Sequence, residues 1–384
     1  MMKNKNNLSL LFSVIVIIGT TFFIRSSNNM VGTTLPLLGK YVLNFSQFQI
    51  GLLVALLSLS SFLTTVLINA KLNSRERRFA FIFSAAAYAL TFIGFWESNV
   101  LTIWLFSAVS GATLGLIMPN IITSAGLFDD QKVRERVLSL YTITLSMSLV
   151  AGPAIESYLL KFLSLRSVFL SFTVFGLTAL LFSLFLKFPE ENRIKEKITV
   201  LKNNGFRVAL LNILIYNIPF SIIISFLGIY EREYFGIGLA EVSLIFSLFF
   251  FSSFSSRLFL FIKPPQKIAV GMIVSISLTI VGIVLIILSH NIIIFAISLV
   301  IMGVPHGLAY PLSVITLGRS FKPEHRNVAN SYYFSSMMLI GIIVPVAGGF
   351  LIDNIGFKFV FILLLLIIAL LIIPLTRELK IFVG

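Results

Sequence analysis

Apolar runs of about 20 residues recur from one end of the chain to the other, each long enough to cross the ~30 Å hydrocarbon core of a bilayer as an α-helix. Twelve of them lie at about 8–38, 46–69, 79–97, 100–127, 135–162, 166–187, 206–230, 239–262, 267–289, 291–319, 326–352 and 356–376. Inside lipid every backbone amide must be satisfied by the segment itself or by a closed barrel. The runs are unbroken, whereas a barrel strand alternates apolar and polar residues, so the barrel is excluded. The expected fold class is therefore all-α integral membrane, with twelve transmembrane helices. Composition agrees, with 58% apolar and 11% charged residues, and disorder is excluded on the same ground. The chain has no Cys, which removes thiolate metal sites and thiol nucleophiles.

The first run follows Lys3 and Lys5 but is not followed by a small-x-small cleavage pattern. We read it as a retained span. Orientation follows from the basic residues, which are held on the cytoplasmic side near helix ends. With the N-terminus inside, 22 of the 29 Lys/Arg fall on inside connections, while only Lys40, Lys161, Arg166, Arg232 and Lys358 fall outside. Arg25 and Arg257 lie within or at the end of helices. Both termini are expected in the cytoplasm, and the net charge of +14 becomes a topology signal. No nucleic-acid partner is needed to explain it.

The longest polar stretch, from Lys187 to Arg207, cannot cross a bilayer and divides the chain into two sets of six spans. The expected domains are an N-terminal bundle (1–187), a cytoplasmic linker (188–207) and a C-terminal bundle (208–384). An internal repeat supports the division. GATLGLIMPNIITSAG from Gly111 matches GVPHGLAYPLSVITLG from Gly303 at an offset of 192 residues. The same register pairs Gly115 with Gly307, Pro119 with Pro311, Gly126 with Gly318, Arg134 with Arg326, Ser139 with Ser331, Tyr141 with Tyr333, Pro153 with Pro345 and Phe169 with Phe361. Two proline pairs and three glycine pairs in one gap-free register exceed what shared hydrophobicity explains. Two pseudo-symmetric six-helix bundles in the same orientation form a parallel repeat about the membrane normal.

This organisation resembles the major facilitator superfamily (MFS) of transporters across nearly the whole chain. Asn69-Ala-Lys-Leu-Asn73-Ser-Arg75-Glu-Arg77-Arg78 resembles the family's cytoplasmic motif Gly-x-x-x-Asp-Arg-x-Gly-Arg-Arg, with Asn at the Gly and Asp positions. Ser148-Leu-Val-Ala-Gly152-Pro153-Ala-Ile-Glu156-Ser157 is similar to the Gly-x-x-x-Gly-Pro-x-x-Gly-Gly motif associated with antiporters. Ser107 and Ser110 precede Gly111 where a related pattern has Arg and Gln. The resemblance implies a cavity between residues 1–187 and 208–384, lined by segments 1, 4, 7 and 10, and segments 3, 6, 9 and 12 facing lipid. It implies conformational roles for Arg75, Arg77, Arg78, Gly152 and Pro153.

Several side chains point to transport chemistry. Arg25 lies about 17 residues into its segment, near mid-bilayer at ~1.5 Å per residue. A guanidinium there costs at least about 2.5–3.5 kcal/mol. It suits a carboxylate or phosphate in bidentate geometry, or a structural ion pair. Asn28 and Asn29 share its helix face with Gly32. Glu156 lies inside an apolar run, and its repeat partner is Gly348. It reads as a proton carrier or as a solvated residue at the outer end of its helix. His306 and Tyr310 share a face of segment 10 with Ser313. They line a cavity in one reading and serve helix packing in the other. Asn212, Tyr216, Asn217, Asn330 and Tyr333 are candidate hydrogen-bonding groups or helix–helix contacts.

No nucleotide-binding loop is present, and His290, His306 and His325 are too far apart along the topology to share a metal. The chain is expected to be no enzyme and to need no cofactor. The reading is a monomeric secondary active transporter of the cell membrane, surrounded by membrane lipids, moving a small organic substrate by alternating access. Proton coupling is favoured, and Arg25 favours an anion. The alternatives are a multidrug exporter and a non-transporting sensor or assembly protein on the same fold.

Overall fold

The computed structural model describes residues 2–125, 128, 130–188, 199–263 and 267–383. Half of the linker expected at 188–207 and Gly126 of the repeat lie outside these residues. Among the described residues twelve helices are long and apolar enough to cross a membrane. They are α1 (Leu10–Tyr41), α2 (Gln47–Lys71), α3 (Ser74–Glu97), α4 (Thr102–Ala125), α5 (Lys132–Leu159), α6 (Leu165–Ser183), α7 (Asn204–Phe235), α8 (Leu239–Ile262), α9 (Ile268–Leu288), α10 (Ile292–Ser320), α11 (Val328–Ile355) and α12 (Phe357–Ile381).

Polar residues at the ends of the apolar runs set where helices begin. Asn73 and Glu76 form a reciprocal capping box at the start of α3. Asp130, Ser164, Asn203 and Asn291 each accept a backbone N–H from the first turn that follows them. Within the spans, Ser and Thr donate to carbonyls of their own preceding turn, as Thr20 does to Val16 at 2.8 Å and Thr279 to Ser275 at 2.8 Å. Hydroxyls satisfied in this way are tolerated in hydrocarbon.

The chain separates into two compact units. The first comprises Met1–Leu38 and Leu56–Arg193, and the second Gly39–Ala55 and Ile194–Gly384. In the first, α3 packs along α4 and α6. Its core is aromatic, with Tyr88 against Phe92 at a centroid distance of 5.0 Å and Phe95 against Phe169 at 5.1 Å. The Tyr88 hydroxyl lies 3.3 Å from the Ser27 hydroxyl of α1. In the second unit α10 packs against α7, α8 and α9.

The repeated glycines have a shared physical role. A Cβ at Gly111 or Gly115 of α4 would strike the Leu57 or Ser61 carbonyl oxygen of α2. A Cβ at Gly303 or Gly307 of α10 would strike the Phe249 or Ser253 carbonyl oxygen of α8. Each unit thus uses one Gly-x-x-x-Gly pair to bring two backbones into contact, the interface that lipid favours because apolar burial drives little association there. The outer faces remain apolar: Phe359, Ile362, Leu366, Leu370 and Ile373 of α12 are all exposed at helical spacing.

Three boundaries depart from the expected spans by five residues: α3 begins at Ser74, α12 continues to Ile381 and α7 continues to Phe235. The seventh run, read as ending near residue 230, continues as helix to Phe235. A π-helical turn, Ile223–Leu227, interrupts it. The extension carries Glu231, fully buried, into the fold. Among the described residues Glu156 and Glu231 are the two buried acidic side chains.

Candidate functional site

In the first unit the polar side chains concentrate where α1 meets α5. Gly152 allows the contact, because a Cβ there would strike the Ser26 carbonyl oxygen of α1. One helical turn farther along α5, Glu156 is 0% exposed. Thr34 Oγ1 lies 2.6 Å from its Oε1 and Thr33 Oγ1 lies 2.7 Å from its Oε2. Thr33 Oγ1 also lies 3.0 Å from the Met30 carbonyl oxygen. The solvated outer-end reading of Glu156 does not describe this geometry. The sequence motif foreshadowed the carboxyl but not its partners, since two threonines in an apolar run carry no mark of which helix they face.

The other residues of the α1 face divide. Asn29 donates to the Leu149 carbonyl of α5 at 2.6 Å, so its amide joins helices. Arg25 and Asn28 are only half-buried, and the Arg25 Nε is buried without a hydrogen-bond partner. Arg25 lies eight residues before Thr33, about 12 Å along the helix at 1.5 Å per residue.

At the α2–α3 turn, Arg77 donates to the Leu72 carbonyl at 3.4 Å and Arg78 to the Leu184 carbonyl at 3.2 Å, whereas Arg75 is exposed. Asn69, at the first position of the same motif, accepts from Asn120 Nδ2 of α4 at 2.6 Å. These residues brace α2, α3, α4 and the end of α6. Pro153 lies inside α5, directly after Gly152.

In the second unit the corresponding concentration lies between α7, α8 and α10. Asn212 donates to the Ala309 carbonyl at 3.0 Å and lies 2.9 Å from Ser313 Oγ, which donates in turn to the Ala209 carbonyl at 3.0 Å. Asn212 is helix–helix glue in its amide nitrogen. Its Oδ1 is buried without a partner.

The imidazole of His306 sits in an aromatic enclosure. Phe220 stacks on it at 4.4 Å, with Phe249 at 5.3 Å, Phe250 at 5.5 Å and Tyr216 at 5.7 Å. Its Nδ1 is buried and has no hydrogen-bond partner. Arg257 of α8, which was noted in the sequence only as a helix-embedded charge, donates to the His306 carbonyl at 3.4 Å. Tyr216 and Tyr333 belong to the hydrophobic core of this unit, with Tyr310 packed at its edge. Asn217 and Asn330 are half-buried on α7 and α11.

The chemistry available is hydrogen bonding, charge and aromatic stacking. Among the described residues no group of three or more His, Asp or Glu could hold a metal ion.

Comparison with known proteins gives the architecture a family. The model of the Major Facilitator Superfamily matches residues 17–263 and 267–380. No curated protein sequence matches the chain. Among solved structures, a D-xylose-proton symporter superposes with a TM-score of 0.78 at 11% identity, over 96% of this chain and 97% of its own. The nucleoside transporter NupG gives 0.75 at 14% identity, over 95% and 99%. A bacterial homologue of the human lysosomal transporter Spinster, inward-facing and occupied, gives 0.71 at 15% identity, over 97% of each chain. At these identities the likeness establishes a shared fold.

Proposed function

The chain belongs to the major facilitator superfamily, and we propose that it is a proton-coupled secondary active transporter that moves a small organic anion across the cell membrane by alternating access. The proposal includes the domain division at 1–187, 188–207 and 208–384, cytoplasmic termini and a monomer. The observation that carries it is the buried Glu156 carboxyl between two threonine hydroxyls.

A hydroxyl both donates and accepts. With Glu156 ionised, Thr33 and Thr34 both donate to the carboxylate. With Oε2 protonated, the acid O–H donates to Thr33 Oγ1, and the Thr33 proton turns to the Met30 carbonyl 3.0 Å away. Both protonation states are thereby satisfied in a site closed to water, which is what a reversible proton carrier requires. A carboxyl serving structure alone needs only one of them.

Arg25, Asn28, Asn217, His306, Tyr310 and Asn330 supply the substrate contacts in this reading. Asn29 and Asn212 are drawn into carbonyl bonds between helices, and Tyr216 and Tyr333 are buried in the hydrophobic core of the second unit. Arg25 supplies the charge that selects an anion.

The test is uptake by purified protein in proteoliposomes with an imposed pH gradient, comparing organic anions, neutral solutes and amphipathic cations. Anion accumulation that a protonophore collapses is expected. Accumulation of amphipathic cations alone would favour the exporter alternative, and no flux of any class would remove the transport reading.

A further inference from the structure

The second unit holds a buried carboxyl of its own that the scheme above does not use. Glu231 on α7 is 0% exposed, and neither Oε1 nor Oε2 has a hydrogen-bond partner. The cations nearest in the chain are engaged elsewhere. Arg232 lies 4.8 Å over the Tyr41 ring, Lys40 pairs with Glu233 at 3.4 Å, and Lys358 of α12 donates to the Tyr234 hydroxyl at 3.2 Å.

Among the described residues, no charged group on the elements around this end of α7 is a hydrogen-bond partner of Glu231. Tyr230, the residue before Glu231, packs against Phe295 of α10 and against Phe357 and Phe361 of α12. Asp353 of α11 accepts the backbone N–H groups of Gln47 at 3.0 Å and Phe48 at 2.8 Å. Glu241 lies in the first turn of α8, and His290, ahead of α10, is exposed. The titratable groups carried at this end of those elements are Lys40 and Tyr41 on α1, Tyr230, Arg232, Glu233 and Tyr234 on α7, Glu241 on α8, His290 before α10, Asp353 on α11 and Lys358 on α12.

The backbone places the carboxyl in this position. The π-helical turn Ile223–Leu227 adds one residue to the helical count. It rotates the following turns by about 100° relative to an unbroken α-helix. Without it Glu231 would point where a neighbour in YEREYF points.

An ionised carboxylate without hydrogen bonds or a counter-charge is poorly tolerated away from water. A hard metal cation takes several oxygen ligands, and among the described residues neither Glu231 oxygen has a hydrogen-bond partner. The occupant that fits a lone carboxyl is a proton. We propose that Glu231 is a second proton-binding site, loaded as the neutral acid in this conformation and independent of Glu156.

Infrared spectroscopy of the full-length protein in lipid nanodiscs at neutral pH tests this without any substrate. A protonated-carboxyl C=O band is expected in wild type and in Glu156→Gln, lost in Glu231→Gln, and shifted on transfer to D2O as the site exchanges its proton. Identical wild-type and Glu231→Gln spectra, or a band that never responds to D2O, would overturn the proposal. If Glu231→Gln does not fold, Glu231→Asp should displace the band, and an unmoved spectrum counts against it equally. Because no flux is measured, this test and the Glu156 coupling scheme can fail separately.

Discussion

The contact of α1 with α5 in the first unit and that of α7 with α11 in the second occupy the same register of the repeat, yet they are filled oppositely. Glu156 meets Thr33 and Thr34. Its counterpart Gly348 meets Ile222 and Phe226, and a Cβ there would strike the Ile222 Cδ1. At the offset of 192, Thr33 becomes Ser225, whose hydroxyl is buried without a partner, and Thr34 becomes Phe226. One fold thus packs the same helix crossing with or without an acid. The carboxyl is not demanded by the architecture, and three polar side chains have been placed together in the half that has it.

Copying the acid into the apolar half should break the comparison most severely. Gly348→Glu puts a carboxyl against Ile222 and Phe226, with the single Ser225 hydroxyl where Glu156 has two threonines, and should cost about 3–5 kcal/mol, the scale of an uncompensated buried charge. Loss of monodisperse protein on size-exclusion chromatography is the expected readout, and a fully stable variant would show the two contacts to be interchangeable.

Stripping the donors is the next test. The double substitution Thr33→Val, Thr34→Val leaves both Glu156 oxygens without their hydroxyls and should cost about 2–4 kcal/mol, at roughly 1–3 kcal/mol per unsatisfied group. Thermal unfolding measured beside Glu156→Gln in the same background checks this, because the combined variant should recover part of the loss.

The charged positions differ between the halves as well, since Arg25 corresponds to Asn217. For the anion found by flux, Arg25→Ala should weaken binding at least about tenfold, as a hydrogen bond to a charged group contributes about 1.5–3 kcal/mol. Asn217→Ala should weaken it by about threefold or less. Arg25→Lys, which keeps charge and loses the planar fork, should fall between them. Equal losses at 25 and 217 would remove the special role of the cation.

The smallest effect belongs to Ser225→Ala. It removes a hydroxyl that has no partner, and stability should change by no more than about 0.5 kcal/mol. A larger loss would mean that the second contact is more polar than its packing indicates.

The twelve spans and the repeat were legible because lipid imposes a length and a composition on every crossing helix, and because Gly111, Gly115, Gly303 and Gly307 admit no side chain where backbones touch. Glu156 was legible as an acid replacing a glycine. Its threonines were not, nor was the Asn29 contact, since the acceptor is the backbone of Leu149 and a carbonyl leaves no trace in residue type. Glu231 was hidden for a different reason. YEREYF has the charge density of a surface loop, and the π-helical turn before it changes which of its residues faces inward.

The central claim is that Glu156 carries the coupled proton, and measuring gradient-driven uptake and counterflow on the same Glu156→Gln vesicles tests it most directly. The amide keeps the shape and cannot titrate. The account predicts that uphill accumulation falls at least about tenfold, the 1.4 kcal/mol scale of one decade, while counterflow persists because the conformational exchange itself needs no proton release. Wild-type accumulation in the variant would contradict it.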